Sequence, residues 1–290
     1  MKENTLYRII SKSQPASFTT QLVVEAPDVA RKAQAGQFVI VRAAENGERV
    51  PLTIADYDRE RGTITMVIQP VGRSTGLICS MCEGDGLLDV AGPLGNPSEL
   101  VEGGTVVCIG GGIGIAPIYP IAREMKAHGN KVITIIGARS ADYLFWEDKL
   151  GAVSDELHIA TDDGSKGIKG FVTMPLLDLM KSGAKIDRVI AIGPLVMMKN
   201  VANTTRPFGV KTIVSLNTVM VDGTGMCGSC RVSVAGKTKF SCVDGPEFDA
   251  HDVNFDELLA RGRIYAPEEG TAREHYEHMK DGVPLCLARK

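Results

Sequence analysis

No stretch of the chain approaches the run of about 18 apolar residues that suggests a membrane span, and the opening MKENTLYRII lacks the apolar core of a secretory signal. No membrane association is expected, and a cytoplasmic location is. Charge of one sign is lacking too: 32 Lys and Arg against 35 Asp and Glu leave a net charge of -3, which gives no electrostatic reason to expect nucleic acid. Internal repeats and low-complexity segments are missing, and none of the five histidines stands beside a Ser or Cys in a pattern that argues for hydrolysis.

What is present is an ordinary globular balance, 44% hydrophobic and 23% charged, over 290 residues. That length exceeds one ordinary core and fits two domains with a small appendage. Seven cysteines is an odd number in a chain large enough to need no covalent staples, so metal-ligating thiols in a reduced compartment are expected ahead of a disulfide framework.

From Leu6 to about Val90 the chain reads as short, β-branched, period-two segments: TTQLVVEAP, GQFVIVRAA, RVPLTIADYD, GTITMVIQPV and DGLLDVAGPLG. Gly, Pro, Asn and Asp break them, which predicts a closed antiparallel barrel or sandwich, interrupted by one helix near Ser74 to Cys82. Beyond GPLGNPSELVEGG, apolar strand runs alternate with helical stretches, the pattern of a parallel sheet covered by helices. The expected division is a barrel over 1–99, an α/β domain over 100–216, and a third piece over 217–290. That third piece holds a Gly- and Cys-rich loop, a CRVSVAGKTKFSC hairpin and a charged tail with helices at FDELLARG and TAREHYEHMKDG.

In VCIGGGIGIAP, residues 107–117, an apolar strand runs into Gly110, Gly111, Gly112 and Gly114 and then a helix opening at Ala116-Pro117. Glycine lets a backbone approach a pyrophosphate, whose charge meets free N–H groups and the positive helix end. The same glycines also suit a bare tight turn between strand and helix, but strand and helix both stand where nucleotide binding needs them. Gly112 and Gly114 are expected closest to the pyrophosphate. GARS at 137–140 and IGP at 192–194 end further strands on the same sheet edge, with Arg139 open to a phosphate, an adenine or plain solvent. Asp162 and Asp163 in TDDGS suit a ribose hydroxyl or an Asp-Gly turn equally.

In the barrel, RVPLT places Arg49, Pro51 and Thr53 on one strand, and VGRSTG places Ser74 and Thr75 at a helix start, where hydroxyls and free N–H groups suit an anion. Thr53 is a donor for a flavin ring nitrogen, while Ser74 is equally an N-cap. In the third piece Asp222, Cys227, Cys230 and Cys242 are spaced x4, x2 and x11. That is the plant-type 2Fe-2S spacing with Asp in the first position, and tetrahedral zinc is the rival. Cys79 and Cys82 repeat the Cys-x2-Cys spacing in an apolar helical stretch without nearby glycines, which favours packing over redox chemistry. Cys286 has no assigned role.

With barrel, glycine turn and cluster loop in this order, the chain resembles the ferredoxin-NADP reductase superfamily, and within it the electron-transfer subunits with a C-terminal 2Fe-2S domain. The resemblance spans all three segments and rests on GPLG at 92–95, the glycine turn, and DGTGMCGSC at 222–230. It implies FAD on the barrel, NAD(H) on the α/β domain, a 2Fe-2S cluster, and a larger flavin/iron-sulfur partner. It also extends the cofactor-binding set to Leu52, Val67, Gln69, Gly72, Ile113, Ala116, Pro117, Gly193 and Pro194.

Two kinds of subunit share this layout. Those of NAD-dependent dihydroorotate dehydrogenases show four cysteines. Those of electron-bifurcating NADH-dependent ferredoxin:NADP oxidoreductases show Asp plus three cysteines, as here, so the resemblance implies a heterodimer that serves ferredoxin indirectly. Arg49 lies one residue upstream of its family position, and Ile192 replaces the cysteine that often precedes Gly-Pro. No acid-base residue is implied, because hydride transfer between stacked rings depends on orientation.

Overall fold

The structure is a computed structural model that describes residues 6–280. Its first part contains β1 (Tyr7–Ser13), β2 (Thr20–Glu25), α1 (Pro27–Lys32), β3 (Phe38–Arg42), β4 (Val50–Thr53), β5 (Asp56–Asp58), β6 (Thr63–Ile68), α2 (Arg73–Ser80), β7 (Gly86–Leu87) and β8 (Asp89–Leu94). The strands form two antiparallel sheets, ordered β5-β6-β2-β1-β7 and β4-β3-β8. Their inward residues, Ile9, Leu22 and Met66 from one and Val39, Val41 and Val90 from the other, share one buried core. The period-two pattern of the sequence is the trace of that burial.

The one helix expected here is α2. A second, α1, is too short for a helical period to be read from sequence: six residues, opened by Pro27, whose fixed φ suits the first turn. Val29 and Ala30 bury it against the barrel.

The second part runs β9 (Thr105–Gly111), α3 (Ile115–Ala127), β10 (Lys131–Ala138), α4 (Glu147–Gly151), β11 (Glu156–Thr161), β12 (Ile168–Lys169), α5 (Thr173–Lys181), β13 (Arg188–Ile192), α6 (Leu195–Thr205) and β14 (Thr212–Ser215). These strands pair in parallel. Alternate residues of β9 feed opposite faces, Val107 and Ile109 into one core and Val106 and Cys108 into the other. The second core also takes Ala35, Ala55 and Val67 from the barrel side, so the two parts are packed together.

The third part holds β15 (Arg231–Val234), β16 (Lys237–Phe240), β17 (Glu247–Asp249), α7 (Phe255–Arg261) and α8 (Ala266–Lys280). β15 and β16 form the expected hairpin. β17 adds an antiparallel edge to the parallel sheet, whose order is β12-β11-β10-β9-β13-β14-β17. Val232, Phe248, Phe255 and Leu258 enter the α/β core, so the part from β15 to α7 is stitched to the domain before it. No helix among the described residues is long and apolar enough to cross a membrane. Cys286 lies outside the described residues.

Candidate functional site

The sheet order sets β9 beside β13, and the connections that leave these two strands run opposite ways, from β9 to β10 and from β13 to β14. Ligands of open α/β sheets bind at the carboxyl end of such a switch point, and here that end is the glycine turn. β9 finishes at Gly110-Gly111, Gly112–Gly114 form a 3-10 turn, and α3 begins at Ile115 without a side-chain cap. The Ile115 N–H donates back to the Gly112 carbonyl within that turn, and the positive end of α3 follows directly on the glycines.

The glycines of the turn do different jobs. A Cβ on Gly114 would stand 2.1 Å from the Ile192 carbonyl oxygen, so this residue lets α3 press against the end of β13. Gly112, at φ +55, has nothing within 4 Å of its would-be Cβ and is the bare backbone facing out. Of the two glycines expected closest to a pyrophosphate, Gly112 thus has open space beside it and Gly114 is a packing position. Gly110, Gly111 and Ala116 are buried, while Ile113, Pro117, Gly193 and Pro194 stay at least partly accessible around the turn.

Arg139 and Asp162 follow β10 and β11 on the same edge and are exposed. Asp162 donates its backbone N–H to the Ala138 carbonyl. Asp163 is spent on turn chemistry, accepting from the Ser165 N–H at 2.9 Å and its hydroxyl at 2.6 Å.

On the barrel, β4 is the outer strand of its sheet, so one side of Pro51, Leu52 and Thr53 is unpaired in that ladder, with Arg49 exposed just before it. Val67 is buried near the end of β6, and Gln69 follows it, half-buried. Nothing stands within 4 Å of a Cβ placed on Gly72, the residue before α2.

Two hydroxyls assigned to an anion already have partners. Thr75 Oγ1 accepts the Gly72 N–H at 3.1 Å and lies 3.2 Å from the Gly72 carbonyl. Ser74 Oγ donates to the Glu48 carboxylate. Glu48 and Arg73 line a cavity of about 120 Å³ with Ser74, Asn46 and Leu77. Sequence reasoning missed both, because Glu48 lies 26 residues from its partner.

The cysteine loop lies against the same barrel. Gly223, at φ +76, presses its backbone onto Leu94 and Ile40, whose side-chain atoms would stand 2.8 and 2.9 Å from a Cβ there. Phe38, Ile40, Met220, Cys230 and Cys242 form a small shared core. Cys230 and Cys242 are 1% and 2% exposed and their sulfurs are 3.1 Å apart. Burial, then the Cys230 thiol, pushes the Cys242 thiol up to about 12. Cys227 is exposed, and hydrogen bonding from Ser229 lowers its pKa.

Asp222 accepts the Thr224 N–H at 3.0 Å and the Cys227 N–H at 3.2 Å, and the Thr224 bond is the main reason its carboxyl titrates below the ordinary range. Among the described residues no three His, Cys, Asp or Glu side chains are gathered in metal-holding geometry. The loop does fit a sulfur-rich centre chemically. It offers three thiols and a carboxylate, and two of the three buried polar side-chain atoms without a partner among the described residues are the Thr218 and Ser241 hydroxyls, in the same segment. An unsatisfied buried hydroxyl is costly, and an acceptor such as a cluster sulfur would relieve it. Cys79, by contrast, packs half-buried against the barrel core, as its apolar setting predicts, whereas Cys82 is disulfide-bonded, which corrects the expectation of packing for that residue.

Residues 217–254 match the family described as the iron-sulfur cluster binding domain of dihydroorotate dehydrogenase B. The chain is 46% identical to a Thermotoga maritima protein described as a dihydroorotate dehydrogenase B (NAD+) electron transfer subunit homolog, over 95% of this chain and 97% of that one. It is 34% identical to the dihydroorotate dehydrogenase B (NAD+) electron transfer subunit of Bacillus caldolyticus, over 84% and 96%. A solved structure of an NADH-dependent reduced ferredoxin-NADP oxidoreductase, studied for flavin-based electron bifurcation, is 45% identical and superposes with a TM-score of 0.88, covering 95% of this chain and 99% of that one. With this identity along nearly the whole of each chain, the protein belongs to the ferredoxin-NADP reductase superfamily, in the family of dihydroorotate dehydrogenase B electron transfer subunits and their homologues.

Proposed function

We propose that the chain is the FAD- and 2Fe-2S-bearing subunit that exchanges a hydride with NAD(H) and passes single electrons to a larger flavin/iron-sulfur partner, in electron-bifurcating ferredoxin:NADP transhydrogenation. The observation that carries this reading is the aspartate before three cysteines in a loop whose Gly223 backbone packs directly on the barrel. The flavin supplies the step between a two-electron hydride and a one-electron iron-sulfur centre.

The chain's own part is binding and orientation. The glycine turn at Gly112, ahead of α3, would receive the nucleotide pyrophosphate, and Arg139 and Asp162 would flank its other end. Ile192-Gly193-Pro194 border the nicotinamide. On the barrel, Thr53 and the open side of β4 hold the flavin ring, and the start of α2, with Glu48 displaced from Ser74, holds the flavin phosphates. Asp222, Cys227, Cys230 and Cys242 would hold the cluster, and ligation by the thiols would release their protons. Ligand identity is a lever on cluster potential, and a hard carboxylate oxygen among thiolates is such a change.

Large apolar side chains stand exposed around this loop, at Val219, Val221, Val243 and Met226, the last 88% exposed. Such a patch suits a protein partner, and a reduced cytoplasmic setting suits the thiols. A second reading, service to a dihydroorotate dehydrogenase, is favoured by the family matched at 217–254. Co-purification from the native source separates the two. A partner carrying further flavin and 4Fe-4S clusters is expected, and a partner that oxidises dihydroorotate would overturn the bifurcating assignment.

A further inference from the structure

The barrel and the α/β domain meet along a polar and aromatic seam that none of the binding roles above uses. Its centre is Asp56 on β5. One carboxylate oxygen accepts from Arg123 of α3 at 2.6 Å, and the other accepts from Lys149 of α4 at 2.6 Å. All three side chains are partly buried. The neighbouring Tyr57 hydroxyl donates to Glu124 at 3.1 Å.

Aromatic rings fix the two cations from the side. The Arg123 guanidinium lies over Tyr57 and Tyr119, at 4.9 and 5.4 Å, and the Lys149 ammonium lies 4.1 Å from both Tyr119 and Trp146. Trp146 adopts a left-handed backbone, φ +58, which a bulky residue disfavours. Its indole N–H donates across the seam to Gln21 of β2 at 3.1 Å. Further along, Ser17 donates its N–H to the Asp142 carbonyl, and Phe18 stacks on Tyr143. The contacts of Asp56, Tyr57, Gln21, Ser17 and Phe18 join the barrel to the α/β domain, while the Tyr119 and Trp146 rings hold Arg123 and Lys149 from within the α/β domain.

The seam sits close, along rigid elements, to both ends of the proposed reaction. Asp56 follows Thr53 by three residues. Arg123 stands on the same helix whose start receives the nucleotide, eight residues from Ile115, or about 12 Å along the axis. A tilt between the domains therefore moves the nucleotide turn relative to β4.

We propose that Asp56 is a positioning residue: by bridging Arg123 and Lys149 it sets the angle between barrel and α/β domain, and with it the approach of a nicotinamide at the Gly112 turn to a flavin at β4. This rests on the FAD and NAD(H) reading above. Bidentate bridging is essential to the role, since a carboxylate that accepts from two elements of one domain resists rotation as well as separation.

The test uses the full chain. Asp56→Asn keeps the shape and removes the charge, Lys149→Met removes one arm, and Asp56→Glu keeps the charge. In the cofactor-free protein, amide exchange along β5 and α3 is expected to quicken in Asp56→Asn. After FAD loading, anaerobic rapid mixing with NADH should show the limiting rate of flavin bleaching reduced about tenfold or more, with the NADH dissociation constant unchanged. Asp56→Glu should recover most of the rate, and Lys149→Met should fall between. A limiting rate equal to wild type in a folded variant, or a loss of nucleotide affinity together with rate, overturns the positioning role. Should Asp56→Asn not fold, Lys149→Met decides by the same readouts. Wild-type flavin that NADH fails to bleach would instead bring down the functional reading itself.

Discussion

Cys230 and Cys242 bring their sulfurs to 3.1 Å of each other in a core shared with barrel residues Phe38 and Ile40. Their chain neighbour Cys227 is exposed, with a lowered pKa. One thiol is thus available to reagents and two are not. In the metal-free, reduced protein, brief treatment with iodoacetamide near pH 7.5 should label Cys227 ahead of Cys108, Cys230 and Cys242, because the thiolate is the reactive form. Burial holds Cys108 up at about 12 as well. Peptide mass mapping reads the order. Cluster loading should protect Cys227, and unchanged labelling of it in loaded protein would remove it from the ligand set.

Asp222 now caps the loop through Thr224 and Cys227, and ligation to iron asks it to do more than shape a turn. Asp222→Cys should keep a 2Fe-2S cluster with altered absorption, paramagnetic resonance and midpoint potential. Asp222→Asn keeps the turn chemistry while removing the anionic ligand, so cluster occupancy should drop. If both variants carry a cluster with wild-type resonance and potential, the carboxylate is not a ligand.

The two glycines of the nucleotide turn should respond differently. Gly114→Ala sets a methyl against the Ile192 carbonyl and should cost about 1–3 kcal/mol of stability, seen as a lower Tm. Gly112→Ala meets no atom within 4 Å, and its positive φ costs about 1–2 kcal/mol. Its larger effect should be a raised KM for NADH with an unchanged flavin spectrum, since its methyl projects where a pyrophosphate would approach. Equal KM values for Gly112→Ala and wild type would move the nucleotide elsewhere.

Glu247 joins the third part to the stretch between β8 and β9 through a 2.5 Å bond from the Ser98 hydroxyl. Burial raises its pKa above the ordinary 4.5, against the pull of Ser98 and Arg188. A folded-state pKa raised in this way contributes stability below the unfolded value and loses it as pH rises through the folded value. Glu247→Gln retains an acceptor for Ser98 without the charge. Its Tm should therefore exceed that of wild type at pH 8, and the gap should narrow toward pH 4. A gap that is independent of pH would show that the carboxylate is not the cause.

The legible features were local ones. Val107 to Pro117 announces strand, glycine turn and helix within eleven residues, and the sheet order adds only that the turn sits at a switch point. The cysteine spacing likewise lies within one short segment. What could not be read depends on distant pairing: Asp56 with Arg123 across 67 residues, Asp56 with Lys149 across 93, and Ser98 with Glu247 across 149. β17 was missed for a different reason. Three residues carry no period, and its place at the sheet edge comes from pairing with β14.

The central claim is that one chain takes a hydride from NADH and delivers single electrons to its own cluster. The most direct measurement is an anaerobic titration of the FAD- and cluster-loaded chain with NADH, followed by low-temperature paramagnetic resonance. The account predicts a reduced 2Fe-2S signal approaching about one spin per chain, with NADPH far less effective at the same concentration. A cluster that stays oxidised under NADH but is reduced by dithionite would contradict it.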